Sequence, residues 1–318
     1  MVDPLYSLSG KRVFVAGHRG MVGQAIVRAL DAEGPAELLT VARAELDLRD
    51  ARAVKDWLRD NRPDVIFVAA AKVGGILAND TYPAAFLFDN LELELALIRG
   101  AHEVGVERLI FLGSSCIYPK FASQPMSEEQ LLTGPLEPTN EWYAIAKIAG
   151  IKMCQALQKE FGARYISVMP TNLYGPGDNF DLETSHVIPA LLRKAHEAKM
   201  SSAREIVVWG TGSPKREFMH VDDCASGIIH AAKHYDGYEH LNIGLGEDIT
   251  IRELAEMIVD VVGFNGDLVF DTDKPDGAPR KLMDASRLSA LGWRAQIGLR
   301  EGLADVYRWF KAQEAAAA

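Results

Sequence analysis

The sequence predicts an α/β protein of the Rossmann type: a doubly wound parallel sheet with a smaller C-terminal substrate-binding lobe. Three observations carry that reading. Apolar runs of strand length alternate with longer stretches of helical periodicity through the first half of the chain. A glycine-rich turn, Gly17-His18-Arg19-Gly20-Met21-Val22-Gly23, joins the first such run to the first helical stretch. Beyond Pro170 the texture changes, and loops rich in Gly, Pro and Asp break the alternation.

Residues 12–16 (RVFVA) read as a buried strand ending at Gly17, and residues 21–30 follow with apolar positions at helical spacing. Residues 37–40 and 64–70 (DVIFVAA) are the next two strands. A long helix over 86–104, a strand over 108–112 (RLIFL), a helix over 142–161 and a strand over 164–169 complete the first half. Such short strands, separated by helices, require right-handed crossovers and a parallel sheet covered on both faces. In the second half helices are expected at about 186–197, 223–234, 251–262 and 299–310, with an Asp of Asp222-Asp223 as N-cap of the second. Loops fall at 174–178 and 271–279, no internal repeat is evident, and the Ala-rich tail 313–318 reads as frayed. The division expected is a cofactor-binding domain over 1–175, with 218–245 returning to it, and a substrate-binding lobe from 176–217 and 246–318.

The 318 residues carry 34 Lys and Arg against 44 Asp and Glu, a formal net charge of −10. That balance argues against nucleic acid as a partner and leaves room for a small anion in a local basic pocket. Cys116, Cys154 and Cys224 lie far apart, in neither disulfide nor metal-ligand spacing, so a reducing compartment and no metal are expected. Residues 1–10 lack the basic start and apolar run of a signal peptide, and no stretch approaches the roughly 18 apolar residues of a membrane helix. The expectation is a cytoplasmic protein with no membrane partner.

Glycines spaced as in 17–23 permit a tight turn and aim a helix N-terminus at a pyrophosphate; the bland alternative is a helix-start turn. Arg19 in that turn and Arg43 past the second strand put two guanidiniums near one point, which favours a 2′-phosphate and hence NADP over NAD. Asp47 is better placed for the adenine edge. Further on, Ser114 follows the fourth strand, and Tyr143 and Lys147 stand one helical turn apart. A nearby ammonium lowers a phenol pKa towards the working range, and a Ser hydroxyl can hold a substrate carbonyl. A chance surface Tyr–Lys pair is the bland reading.

Together these motifs resemble the extended short-chain dehydrogenases that modify nucleotide sugars. Longer strings, among them Ala70-Ala-Lys-Val-Gly-Gly-Ile76, Gly113-Ser-Ser-Cys-Ile-Tyr-Pro119, Met169-Pro-Thr-Asn-Leu-Tyr-Gly175, Arg216-Glu-Phe-Met-His-Val-Asp-Asp223 and Lys274-Pro-Asp-Gly277, are similar to those of the GDP-L-fucose synthase family. The resemblance implies GDP-4-keto-6-deoxy-D-mannose as substrate, inversion at C3 and C5, and reduction of the C4 ketone with NADPH. It implies Cys116 as base and His186 as acid; read alone, Cys116 is a small buried hydrophobe and His186 a helix-start residue. For the cofactor it adds Leu48, Ala70, Pro170, Asn172, Leu173 and His186 to the glycine turn, Arg43, Asp47, Tyr143 and Lys147. For the sugar nucleotide it implies Ser114, Ser115, Cys116 and Asn172 near the sugar, and Lys194, Val208, Trp209, Arg216 and Lys281 at the guanosine and diphosphate end. Trp209 has a core reading as well. Trp142 stands where the family often has Pro. Helices 86–104 and 142–161 resemble those that form a four-helix interface, implying a homodimer. The alternatives on the same scaffold are a GDP-L-colitose synthase, an NAD-retaining 4-epimerase or dehydratase, and a non-catalytic NADP-binding regulator.

Overall fold

The computed structural model describes residues 4–182, 184–274 and 276–317. Strand Arg12–Ala16 pairs in parallel with Glu37–Leu39 on one side and Val65–Val68 on the other. Val65–Val68 continues through Arg108–Leu112 and Arg164–Pro170 to Leu241–Ile243, all in parallel. The outcome is the expected doubly wound sheet of six strands. Its order reverses beside the first strand, which opens a crevice at the C-terminal strand ends.

Strand alternation supplies both faces. Val13, Val15, Phe67 and Ile110 pack in one layer with helices Met21–Asp31 and Val221–His234. Phe14, Ile66, Leu109 and Phe111 pack in the other with helices Ala51–Asn61, Pro83–Val104 and Glu141–Phe161. A third cluster belongs to the lobe, where helices Val187–Met200, Ile251–Val262 and Leu299–Ala317 enclose Leu192, Leu254 and Leu303. Two strands absent from the sequence reading, Glu205–Trp209 and Asp267–Asp271, pair in parallel against it. Leu288 and Trp293, beyond position 246, join the first layer of the sheet instead.

Two expectations are corrected. The N-cap of Val221–His234 is His220, whose ring accepts a hydrogen bond from Asp222 N at 3.2 Å. The two aspartates sit inside the first turn, where their charge opposes the positive helix end. The tail is not frayed: alanine has the highest helix propensity, and the last helix runs through Ala317. Residue 318 lies outside the described residues.

Candidate active site

The first strand ends at Gly17, with φ +87°. A Cβ there would lie 2.6 Å from the Ala70 backbone, and one on Gly23 would lie 2.1 Å from the Gly17 carbonyl oxygen, so only glycines close this turn. Gly20 caps helix Met21–Asp31 without a side chain, which leaves its first-turn N–H groups for a phosphate. His18 Nδ1 is buried with no hydrogen-bond partner among the described residues. Arg19 and Arg43 are exposed and form no ion pair among the described residues, although Arg43 helps to lower the Asp47 pKa. Asp47, by contrast, is forked by Arg49 at 3.0 and 2.6 Å, and those hydrogen bonds hold its carboxyl down at about 2. Leu48 is half-buried and Ala70 buried beside the turn. An unpartnered ring nitrogen, a turn that a Cβ would fill and two unpaired guanidiniums fit a dinucleotide with an extra phosphate.

Ser114 follows strand Arg108–Leu112 and caps the short turn Ser115–Ile117, its Oγ accepting from Cys116 N at 3.5 Å. The turn sets the Ser114 hydroxyl where it favours the ionised form of both the Cys116 and Tyr143 side chains. Gly150 lets helix Glu141–Phe161 settle close enough for this, since a Cβ there would lie 2.2 Å from the Phe111 ring. One turn beyond Tyr143, the buried Lys147 donates to the Leu112 carbonyl at 3.0 Å. Its Nζ lies 3.0 Å from Glu94 Oε1 and 5.7 Å from the Tyr143 ring centre.

The expected lowering of the Tyr143 pKa is reversed here. Burial pushes it well above the ordinary phenol value, Cys116 and Glu94 add to the rise, and only the Ser114 hydrogen bond opposes it. The Lys147 charge is already met by Glu94. Burial likewise raises the Cys116 thiol, against the pull of Ser114, Lys281 and Lys147. His186 holds the N-cap position of Val187–Met200 without capping it. The residue is exposed, yet desolvation by the surrounding protein lowers its pKa. The backbone just before it approaches the loop after the third strand: a Cβ on Gly75 would lie 3.4 Å from the Thr184 carbonyl oxygen.

Pro170 ends the fifth strand, and Asn172 and Leu173 continue into strand Asn172–Tyr174, paired with Phe218–His220. The Asn172 amide nitrogen is committed to the Glu217 carbonyl at 2.9 Å, which leaves its oxygen for a ligand. Arg216 and Lys281 are register partners in the parallel pair Lys215–Arg216 and Arg280–Lys281. Burial lowers the pKa of both, and neither meets a carboxylate within ion-pair distance among the described residues. Trp209 is 64% exposed, so its core reading fails, and Lys194 and Lys274 stand 5.4 and 5.5 Å from its ring centre. Val208 alternates inward, and its side chain packs in the lobe core instead of beside Trp209. Ser115 is buried at the start of the turn Ser115–Ile117.

Three polar groups had no role in the sequence reading. Asp276 accepts from Thr211 N at 2.9 Å and Thr211 Oγ1 at 2.7 Å, steadying the loop after Trp209. Asn90 holds the loop after the third strand by pairing with both backbone groups of Lys72. Glu94 faces Lys147. The signal for the last two was a polar residue on the stripe that also carries Leu97 and Ala101, buried on the same helix.

A dinucleotide cradle, a Ser–Tyr–Lys cluster at the strand ends and a seat of unpaired cations define an oxidoreductase of the short-chain dehydrogenase type acting on an anionic substrate. Residues 13–244 match the NAD dependent epimerase/dehydratase family. The chain is 56% identical to a GDP-L-fucose synthase of Sinorhizobium fredii, over 96% of this chain and 98% of that one. It is 57% identical to GDP-L-fucose synthase 1 of Arabidopsis thaliana, over 96% and 95%. A GDP-L-colitose synthase of Yersinia pseudotuberculosis is 36% identical, over 94% and 97%. Among solved structures, a GDP-L-fucose synthetase of Naegleria fowleri bound to NADP superposes with a TM-score of 0.90 at 27% identity, over 99% and 98%. The chain belongs to the NAD dependent epimerase/dehydratase family and, within it, to the GDP-L-fucose synthases.

Proposed function

We propose that the protein converts GDP-4-keto-6-deoxy-D-mannose into GDP-L-fucose, inverting C3 and C5 and then reducing the C4 ketone with NADPH. The observation that carries this is the Ser114 hydroxyl, which shares one short turn with Cys116 and acts on both the Cys116 thiol and the Tyr143 phenol. It sets a ketone-oxygen site and an acid–base thiol side by side, which a plain reductase or an NAD-retaining epimerase does not need. The identity of 56% to a GDP-L-fucose synthase, against 36% to the colitose enzyme, favours the 3,5-epimerase over its C5-only relative.

Protons next to a ketone are acidic because the carbanion delocalises onto the ketone oxygen. Ser114 and Tyr143 hold that oxygen in both inversion and reduction. Cys116 removes a proton from one face and His186 returns one to the other. Bound NADPH supplies the hydride for C4. Tyr143 then gives the C4 oxygen its proton, a task that suits a phenol of raised pKa. Lys147 orients the nicotinamide ribose, Arg19 and Arg43 bind the 2′-phosphate, and Asp47, Leu48 and Ala70 line the adenosine. Arg216 and Lys281 take the diphosphate, with Lys194 and Trp209 at the guanosine.

Residues 1–175 with 218–245 would hold the cofactor, and 176–217 with 246–318 the sugar nucleotide. A homodimer is supported by exposed apolar residues on two adjacent helices, Phe88 and Leu95 on Pro83–Val104 and Trp142 and Ile145 on Glu141–Phe161. The expected location is the cytoplasm, in keeping with three buried free cysteines; among the described residues no helix is long and apolar enough to cross a membrane.

The test is NADPH oxidation with the keto sugar in heavy water, with the product read by NMR. GDP-L-fucose bearing deuterium at C3 and C5 is the expected result, and Cys116→Ser should suppress that uptake. Reduction without exchange would overturn the epimerase assignment, and exchange at C5 alone would point to the colitose-type reaction.

A further inference from the structure

The Lys147 ammonium has a counter-ion for which the reaction above has no task. Glu94 is fully buried on helix Pro83–Val104, and its Oε1 lies 3.0 Å from Lys147 Nζ, itself almost wholly buried on helix Glu141–Phe161. No donor other than Lys147 serves this carboxylate among the described residues. Buried carboxylates are ordinarily better supplied. Glu217, equally buried, accepts from Thr171 Oγ1, Met283 N, Gly246 N and Leu245 N.

As a device for stability the pair is poor. Desolvation of two charges offsets their attraction, and apolar residues of similar volume would join the helices as well. Its neighbours suggest an electrostatic task. The titratable groups coupled to the pair are Tyr143 and Cys154 on helix Glu141–Phe161 and Cys116 on the catalytic turn. Lys281 acts on Cys116 from the lobe side. Negative charge at Glu94 disfavours ionisation of Tyr143 and Cys154.

In both steps proposed above Tyr143 works as a hydrogen-bond and proton donor to the C4 oxygen, so it must be a phenol. An unopposed ammonium one helical turn away would favour the phenolate, the form that suits alcohol oxidation. A carboxylate against that ammonium cancels much of its field. We propose that Glu94 is a positioning residue of this site: it fixes and partly neutralises the Lys147 ammonium, keeps Tyr143 in its proton-donating form, and so biases the site towards ketone reduction.

The proposal rests on the reductase reading, and its test is independent of the sugar. Tyr143 is titrated in the full-length, NADP-bound protein by tyrosinate absorbance, as the difference between each protein and its Tyr143→Phe counterpart. In Glu94→Gln the ionisation of Tyr143 should fall by about one pH unit or more. The alkaline limb of the reduction rate should move down with it. If wild-type Tyr143 outlasts the alkaline stability of the protein, its ionisation coming into range in the variant is the supporting result. Continued absence, or an unmoved ionisation in a folded, NADP-binding variant, overturns the proposal. Glu94→Met, uncharged and close in volume, repeats the measurement if the Gln variant does not fold. Failure of the keto sugar to react would leave the titration result standing and count only against the substrate assignment.

Discussion

At the sheet end of the cleft the buried cation is paired, whereas at the lobe end the cations are not. Lys147 meets Glu94. Arg216 and Lys281 lie side by side, partly desolvated, with no carboxylate within ion-pair distance among the described residues. Two like charges placed together out of water cost stability unless an anion completes them. The sheet end is therefore built to exist without ligand and to hold its reacting groups still. The lobe end spends folding stability on a pair of cations that an anionic ligand would neutralise. Preorganised chemistry and ligand-completed binding are divided between the two halves.

The largest effect that would break this contrast lies at the sheet end. Tyr143→Phe should cut ketone reduction by roughly 10²–10⁴-fold. Near-normal turnover would remove Tyr143 from the proton-donating role.

The next effect concerns stability and also belongs to the sheet end. His240 is fully buried, Tyr118 Oη lies 2.9 Å from its Nε2, and burial holds its pKa down at about 4. The unfolded chain takes up this proton near the ordinary value of about 6.5, so the unfolded state binds more protons in between. Stability linked to the neutral ring is complete above about pH 6.5 and is lost as pH falls towards 4, by up to about 3 kcal/mol. Urea denaturation across that range should be flatter in His240→Gln than in the wild type; parallel curves would contradict the assignment.

At the lobe end, Lys281→Met should raise the KM for the GDP sugar by roughly 10–100-fold, the loss of one charge-assisted contact. The same change should raise the melting temperature of the ligand-free protein. A lowered melting temperature would show that the cation is paired after all and would erase the contrast. The smallest effect is expected at the cofactor rim, where solvent screens charge. Arg43→Ala should weaken NADPH by about 1–2 kcal/mol and leave NADH nearly unchanged, as direct binding titration would show. Equal losses for both cofactors would place Arg43 away from the 2′-phosphate.

The strands over 12–16 and 108–112 were legible because parallel strands buried on both faces read as unbroken apolar runs. The glycine turn was legible because Gly17 and Gly23 sit where no Cβ fits. Helix Ala51–Asn61 escaped notice because only Val54 and Leu58 of its eleven residues are buried, too thin a stripe among so many charges. The lobe strand Glu205–Trp209 was missed, and with it the direction of its side chains: Val208 points inward and Trp209 outward. Asp276 carried no local mark of its task, and the apolar stripe that holds Glu94 did not name its partner, because Thr211 and Lys147 lie more than fifty residues away.

By itself, then, the sequence determined the α/β order, the dinucleotide turn, the preference for an extra phosphate, and the Ser, Tyr and Lys residues that hydride transfer would employ; the role of Cys116 came only with the family resemblance. These follow from backbone sterics, periodicity and residue chemistry, which are local. Only the tertiary structure decided that burial raises the Tyr143 phenol and the Cys116 thiol above their ordinary values, that Glu94 claims Lys147, and that Arg216 and Lys281 stand together with no ion pair among the described residues. Burial and Coulomb interactions are set by groups brought close by folding, and their strength in a dry site outweighs what neighbours along the chain can predict.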